Sequence, residues 1–207
     1  MGDVHAGYLD GLLPPVVPEL SALMPKEARG QIMKKIFTIL MLAALALPLA
    51  AQIFPSAFVD PKIDGVFQDQ EYAVVQELRG MKFGYALSLD GQTLHFALQA
   101  NTTGWVSIGL GSNRMQGAHI VIGFDALTSQ TISEETGRGH SHSPSRDKIV
   151  KQQAIKESGS VTTLEFSVPA SLYAGGRELR TILAYGTRDD LRSKHAVYAS
   201  HTIAFEK

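Results

Sequence analysis

Two alternating segments joined by Asp90-Gly91 constrain this chain more than any other feature. Residues 82–89 put Phe83, Tyr85, Leu87 and Leu89 on one face, and residues 93–100 set Leu94, Phe96 and Leu98 against Thr93, His95 and Gln99. A period of two on either side of Asp-Gly is the strongest local signal for an antiparallel hairpin. Residues 105–110, 119–124, 161–168, 181–186 and 196–205 are further runs of strand length, with turn residues between them. Helix is expected only in short pieces, over 69–75 and over 170–173 after Pro169. Short strands, regular turns and little helix predict an all-β chain folded as an antiparallel β-sandwich. Residues 113–117 and 128–147 are polar and carry Gly, Ser or His, so they are expected as loops at the ends of the sandwich, where function sits.

The first fifty residues read differently. Met33-Lys34-Lys35 is a basic opening, 36–51 is apolar, and Leu49-Ala50-Ala51-Gln52 offers small residues for a signal peptidase. That run is short for a membrane span and is broken by Pro48, so 33–51 reads as a signal peptide of bacterial proportions. An uncleaved anchor or a buried helix is the alternative. Residues 1–32 are Pro-rich (Pro14, Pro15, Pro18, Pro25) and show neither alternation nor a helical period. They are expected to be a non-native upstream extension or disordered, with translation starting at Met33. The remaining stretch, 52–207, has the size of one domain, in the periplasm or secreted, with no stable membrane span after signal cleavage.

Composition removes whole classes of function. There is no cysteine, which excludes disulfides, thiolate metal sites, iron–sulfur clusters and covalent haem attachment. Lys and Arg number 19 against 20 Asp and Glu, so nothing supports a nucleic-acid partner, which needs a basic face. G-x-S-x-G, H-E-x-x-H and phosphate-cradling glycine loops are missing, and a non-enzyme is expected. Met115 lies in a polar loop between apolar strands, where it is either core filler or a ligand. His95 reads as a surface histidine on a polar strand face, and His119 as a satisfied histidine at a strand start. His140 and His142, in Gly-His-Ser-His, have chelating spacing but supply only half a zinc site. His195 precedes the last strand and His201 lies within it. Spacing alone does not choose between those two.

Read in order, the motifs resemble the DOMON family, and within it the haem-binding, cytochrome-b-like branch. The resemblance rests on Thr103-Gly104-Trp105-Val106-Ser107-Ile108-Gly109-Leu110 and on Met115-Gln116-Gly117-Ala118-His119 through Gly123. Gly137-Arg138-Gly139-His140, Thr162 to Phe166, Leu183-Ala184-Tyr185-Gly186 and His195 before the closing strand add to it. It implies an immunoglobulin-like, DOMON-type sandwich. It also implies non-covalent haem b, with Met115 and His195 as axial iron ligands and Trp105 and His140 as neighbours of the pocket. A thioether favours ferrous iron, and two protein ligands leave no open position, which together favour electron transfer to an unidentified redox partner protein. The family also contains sugar-binding members, and Ile63-Asp64-Gly65 is similar to related carbohydrate-binding sandwiches. A carbohydrate or other small-ligand module, or an accessory subunit of a larger redox complex, therefore stays open as an alternative.

Overall fold

The computed structural model describes residues 54–205; the expected extension over 1–32 and signal peptide over 33–51 lie outside them. Eleven strands follow one another among the described residues. They are β1 (Val74–Leu78), β2 (Met81–Leu87), β3 (Thr93–Ala100), β4 (Val106–Leu110), β5 (His119–Ala126) and β6 (Ser129–Arg138). The rest are β7 (Ser141–Pro144), β8 (Gln152–Ser158), β9 (Val161–Pro169), β10 (Glu178–Tyr185) and β11 (Val197–Ala204). They form a five-stranded sheet, β1-β2-β3-β9-β8, and a six-stranded sheet, β11-β10-β4-β5-β6-β7. All the strand pairs are antiparallel. The chain is an all-β sandwich, as the alternation predicts. Among the described residues no helix is long and apolar enough to cross a membrane.

The core lies between the sheets. Phe83, Phe96, Leu98, Leu164 and Phe166 come from one sheet, and Val106, Ile108, Leu110, Val121, Leu183 and Ile203 from the other. The rings of Phe96 and Phe166 sit 5.4 Å apart across neighbouring strands. Burial of each such side chain contributes about 1.5–3 kcal/mol. Met81 belongs to this core and is fully buried.

Three departures from the sequence reading concern strands that carry no clean apolar alternation. The long polar loop expected over 128–147 is instead the β6–β7 hairpin, closed by pairs such as Gly137 with His142. Residues 74–78 are a strand, leaving only a 3-10 turn at Asp69–Glu71. β8 carries no apolar alternation strong enough to announce it. β1, β7 and β8 are edge strands, which meet water along their open side and need no apolar alternation; β6 lies inside its sheet between β5 and β7 but is rich in Ser, Thr and Glu.

His95 also differs: it is 5% exposed, with Nδ1 buried and unpartnered. A segment upstream of β1 covers that face of the five-stranded sheet, packing Ala57, Phe67 and Tyr72 on Ala86 and Ala97. Ile63-Asp64-Gly65 anchors the segment. The fully buried Glu165 accepts hydrogen bonds from Tyr72 Oη (2.6 Å), the Gly65 amide (2.7 Å) and the Asp64 amide (3.1 Å). Burial pushes the Glu165 carboxyl above its ordinary range, against the pull of those donors. The folded state then binds a proton that the unfolded chain releases near pH 4.5. The stabilisation is complete below that pH and is lost as pH rises through the folded value, with a slope of at most about 1.4 kcal/mol per pH unit. Glu165→Gln is expected to flatten this decline in urea midpoints measured from pH 4 upward. An unchanged profile would assign the decline to another group.

Candidate functional site

The outward face of the six-stranded sheet is apolar where an antiparallel sheet would ordinarily be wet. Ser107 pairs with Ile122 on one side and Ala184 on the other, and Gly109 with Ile120 and Ile182. These positions share the face opposite Val106, Ile108 and Leu110. Trp105, Ala118, Ile120 and Ile122 make an apolar cluster separate from the main core, with Met115, Ile182, Ala184 and Leu191 against it. Above this floor is a cavity of about 600 Å³, within the ~300–1,000 Å³ typical of small-molecule and cofactor sites.

Two loops wall the cavity from opposite ends of the same strands. Leu110, where β4 ends, pairs with Thr181, whereas Tyr185, where β10 ends, pairs with Val106. The β4–β5 loop therefore leaves one end and the β10–β11 loop the other, about 13 Å apart at ~3.3 Å per residue. The first delivers Met115 and the second His195, and both side chains line the cavity, each half-buried.

Each loop is fixed by identifiable contacts. The Met115 turn lies on β6: the Gly117 amide donates to Gly137 O (3.0 Å), the Gly137 amide to Ala118 O (2.9 Å) and the Ala118 amide to Met115 O (3.1 Å). Gly137 permits this approach, because a Cβ there would overlap the Met115 carbonyl. On the other side, Trp105 packs against Gly186, where a Cβ would overlap its indole ring. Trp105 Nε1–H donates to Ser193 Oγ (2.9 Å), and Ser193 Oγ–H donates to Asp190 O (2.8 Å). Trp105 thereby holds the segment that carries His195. Ser193→Ala leaves the indole in place and removes the acceptor of its N–H. It is expected to lower stability by about 1 kcal/mol and to speed proteolytic nicking within 186–196; nicking at the wild-type rate would show that the loop is held otherwise.

Met115, His195, Trp105 and His140 line this one cavity. His142 lines it too, from strand β7 rather than from a loop. Its Nδ1 bonds to Glu135 Oε2, whose other oxygen accepts from Ser133 Oγ (3.0 Å). His119 is outside the cavity lining and bonds through Nε2 to Glu134 (2.9 Å), which also accepts from the Ile149 and Val150 amides. His201 lies on the other face of β11, within 6.0 Å of the Phe83 ring and 2.8 Å from Gln76 Nε2. His195 stands beside Tyr198, with ring centroids 4.9 Å apart. The Asp190 carboxylate accepts from the Arg192 amide (2.9 Å) within a turn of the same loop. Among the described residues, no three His, Cys, Asp or Glu converge to hold a metal ion. Glu135 and Ser193 carry no sequence signal of their own, because each matters only through the partner that folding brings to it.

A family model described as the DOMON domain matches residues 79–181, so the chain carries a DOMON domain. No curated protein matches the chain. Among solved structures it is similar to the cytochrome domain of Myriococcum thermophilum cellobiose dehydrogenase, at 13% identity over 61% of this chain and 75% of that one, with a TM-score of 0.46. It is also similar to the cytochrome b domain of pyranose dehydrogenase from Coprinopsis cinerea, at 14% identity, 60% and 76% coverage and a TM-score of 0.47. A family 9 carbohydrate-binding module from Caldicellulosiruptor kristjanssonii, in complex with glucose, is similar at 11% identity, 72% and 83% coverage and a TM-score of 0.40.

Proposed function

We propose that this DOMON domain binds one non-covalent haem b between Met115 and His195 and serves in outer-sphere electron transfer, without substrate turnover. One observation carries the reading: a thioether and an imidazole reach the same apolar cavity from opposite ends of its floor. The donor set fits the group, since a thioether and an imidazole are both iron ligands and both residues are half-buried at the cavity wall. When bound, haem supplies a one-electron iron couple. Met115 offers a soft sulfur that favours the reduced state, and His195 offers a nitrogen donor from the other side. Ile120, Ile122, Ile182 and Ala184 keep water from the floor, and Trp105 keeps the His195 segment in place. With the leader expected over 33–51, the role belongs to the periplasm or the exterior, where an unidentified protein would exchange the electron.

The test is the absorption spectrum of protein exported with haem supply, before and after dithionite. A low-spin Soret band with sharpened visible bands on reduction is the expected result. A colourless protein that also refuses haemin would overturn the reading and return the cavity to a sugar or another small ligand.

A further inference from the structure

We propose that His142 is a standby iron ligand on the Met115 side of the cavity, able to take the place of the thioether. The inference rests on the haem reading above and goes beyond it. Three histidines line the cavity, but only His142 has a ring nitrogen held by a carboxylate, the one on Glu135. Metal-binding histidines donate their second ring N–H to a carboxylate, a backbone carbonyl or water, and such a partner fixes the tautomer and the ring orientation. An ionised carboxylate only accepts, so the proton of the neutral ring sits on Nδ1 and the Nε2 lone pair is left free. No proton need leave for Nε2 to bind iron.

Topology puts this imidazole beside Met115 rather than beside His195. Gly137 and His142 are cross-strand partners of β6 and β7, about 5 Å apart at Cα. Met115 rests directly on Gly137. The Gly139 amide donates to Gln116 Oε1 (2.6 Å), which ties the β6–β7 turn to the residue after Met115. One wall thus carries a sulfur donor and a pre-oriented nitrogen donor, and His195 arrives from the far end of the strands. With haem bound, His142 Nε2 would stand in for the Met115 sulfur, one neutral donor for another, with no change in the iron's oxidation state. Imidazole favours ferric iron more than a thioether does, so the exchange lowers the reduction potential.

The haem-loaded full chain tests this by spectrum and potentiometry. In the wild-type background His142→Ala is expected to leave the spectrum unchanged. Met115→Ala, or the volume-keeping Met115→Leu, is expected to stay low-spin with a lower potential. Adding His142→Ala to either is expected to give high-spin haem, and adding Glu135→Gln to weaken the low-spin fraction. If the Met115 variants are folded and already high-spin, with no change on adding His142→Ala, the standby role is overturned while the haem reading stands. If the wild type takes no haem, both fall.

Discussion

His195→Ala is expected to abolish low-spin haem, whereas His201→Ala should leave the spectrum intact and cost only stability. The two histidines are six residues apart, and a single unbroken strand would point both to one face. The strand is not unbroken: β11 begins at Val197, so His195 belongs to the connection and turns over the outer face with Tyr198. His201 points between the sheets, where it meets the Phe83 and Tyr85 rings and Gln76. Losing the imidazole of His195 removes the nitrogen donor from its side of the cavity. His142 cannot replace it, being on the Met115 wall. The loss of affinity should exceed the ~10–100-fold that a metal site loses with a ligand's supporting hydrogen bond. His201→Ala removes one side-chain hydrogen bond and part of a ring contact, about 1–2 kcal/mol. Haemin titration and urea unfolding of the two variants separate the outcomes, and the reverse pattern would exchange their roles.

What was legible in the sequence follows the physics of each element. Central strands such as β3, β4 and β9 face a dry core, and their apolar residues announce them. Edge strands face water, and β1, β7 and β8 had no such pattern to show. His95 shows the opposite limit. Its alternation assigned it to a polar face, but exposure depends on whether something distant covers that face, and the segment holding Phe67 and Tyr72 does so. At the site, Met115 stood out because a thioether in a polar loop is out of place. Trp105 stood out because it lies in a glycine-flanked motif, whose second glycine partner, Gly186, sits 81 positions later and beneath its ring. The Glu135–His142 pair was invisible, since it exists only once residues 128–147 fold as a hairpin.

Gly137→Ala is expected to displace Met115 as effectively as deleting its sulfur. Gly137 is not in the left-handed region, so alanine suits its backbone and the effect is one of space alone. A Cβ there would overlap the carbonyl oxygen of Met115 and lie 3.0 Å from its Cγ. Neither side can yield cheaply. Gly137 is tied on one side to Gly117 and Ala118 through 3.0 and 2.9 Å hydrogen bonds and on the other to β7 by the strand ladder. Overpacking of this kind costs about 1–3 kcal/mol, and the sandwich survives it because the clash is on the outer face, away from the Phe96–Phe166 core. The route of least cost is for the 113–117 loop to lift off β6, carrying the thioether out of reach. Folded, haem-loaded Gly137→Ala should therefore reproduce the lowered potential of Met115→Ala while still containing the methionine. Combining the two substitutions should lower the potential no further. A wild-type potential in the folded single variant would mean that Met115 does not depend on this contact for its place in the cavity.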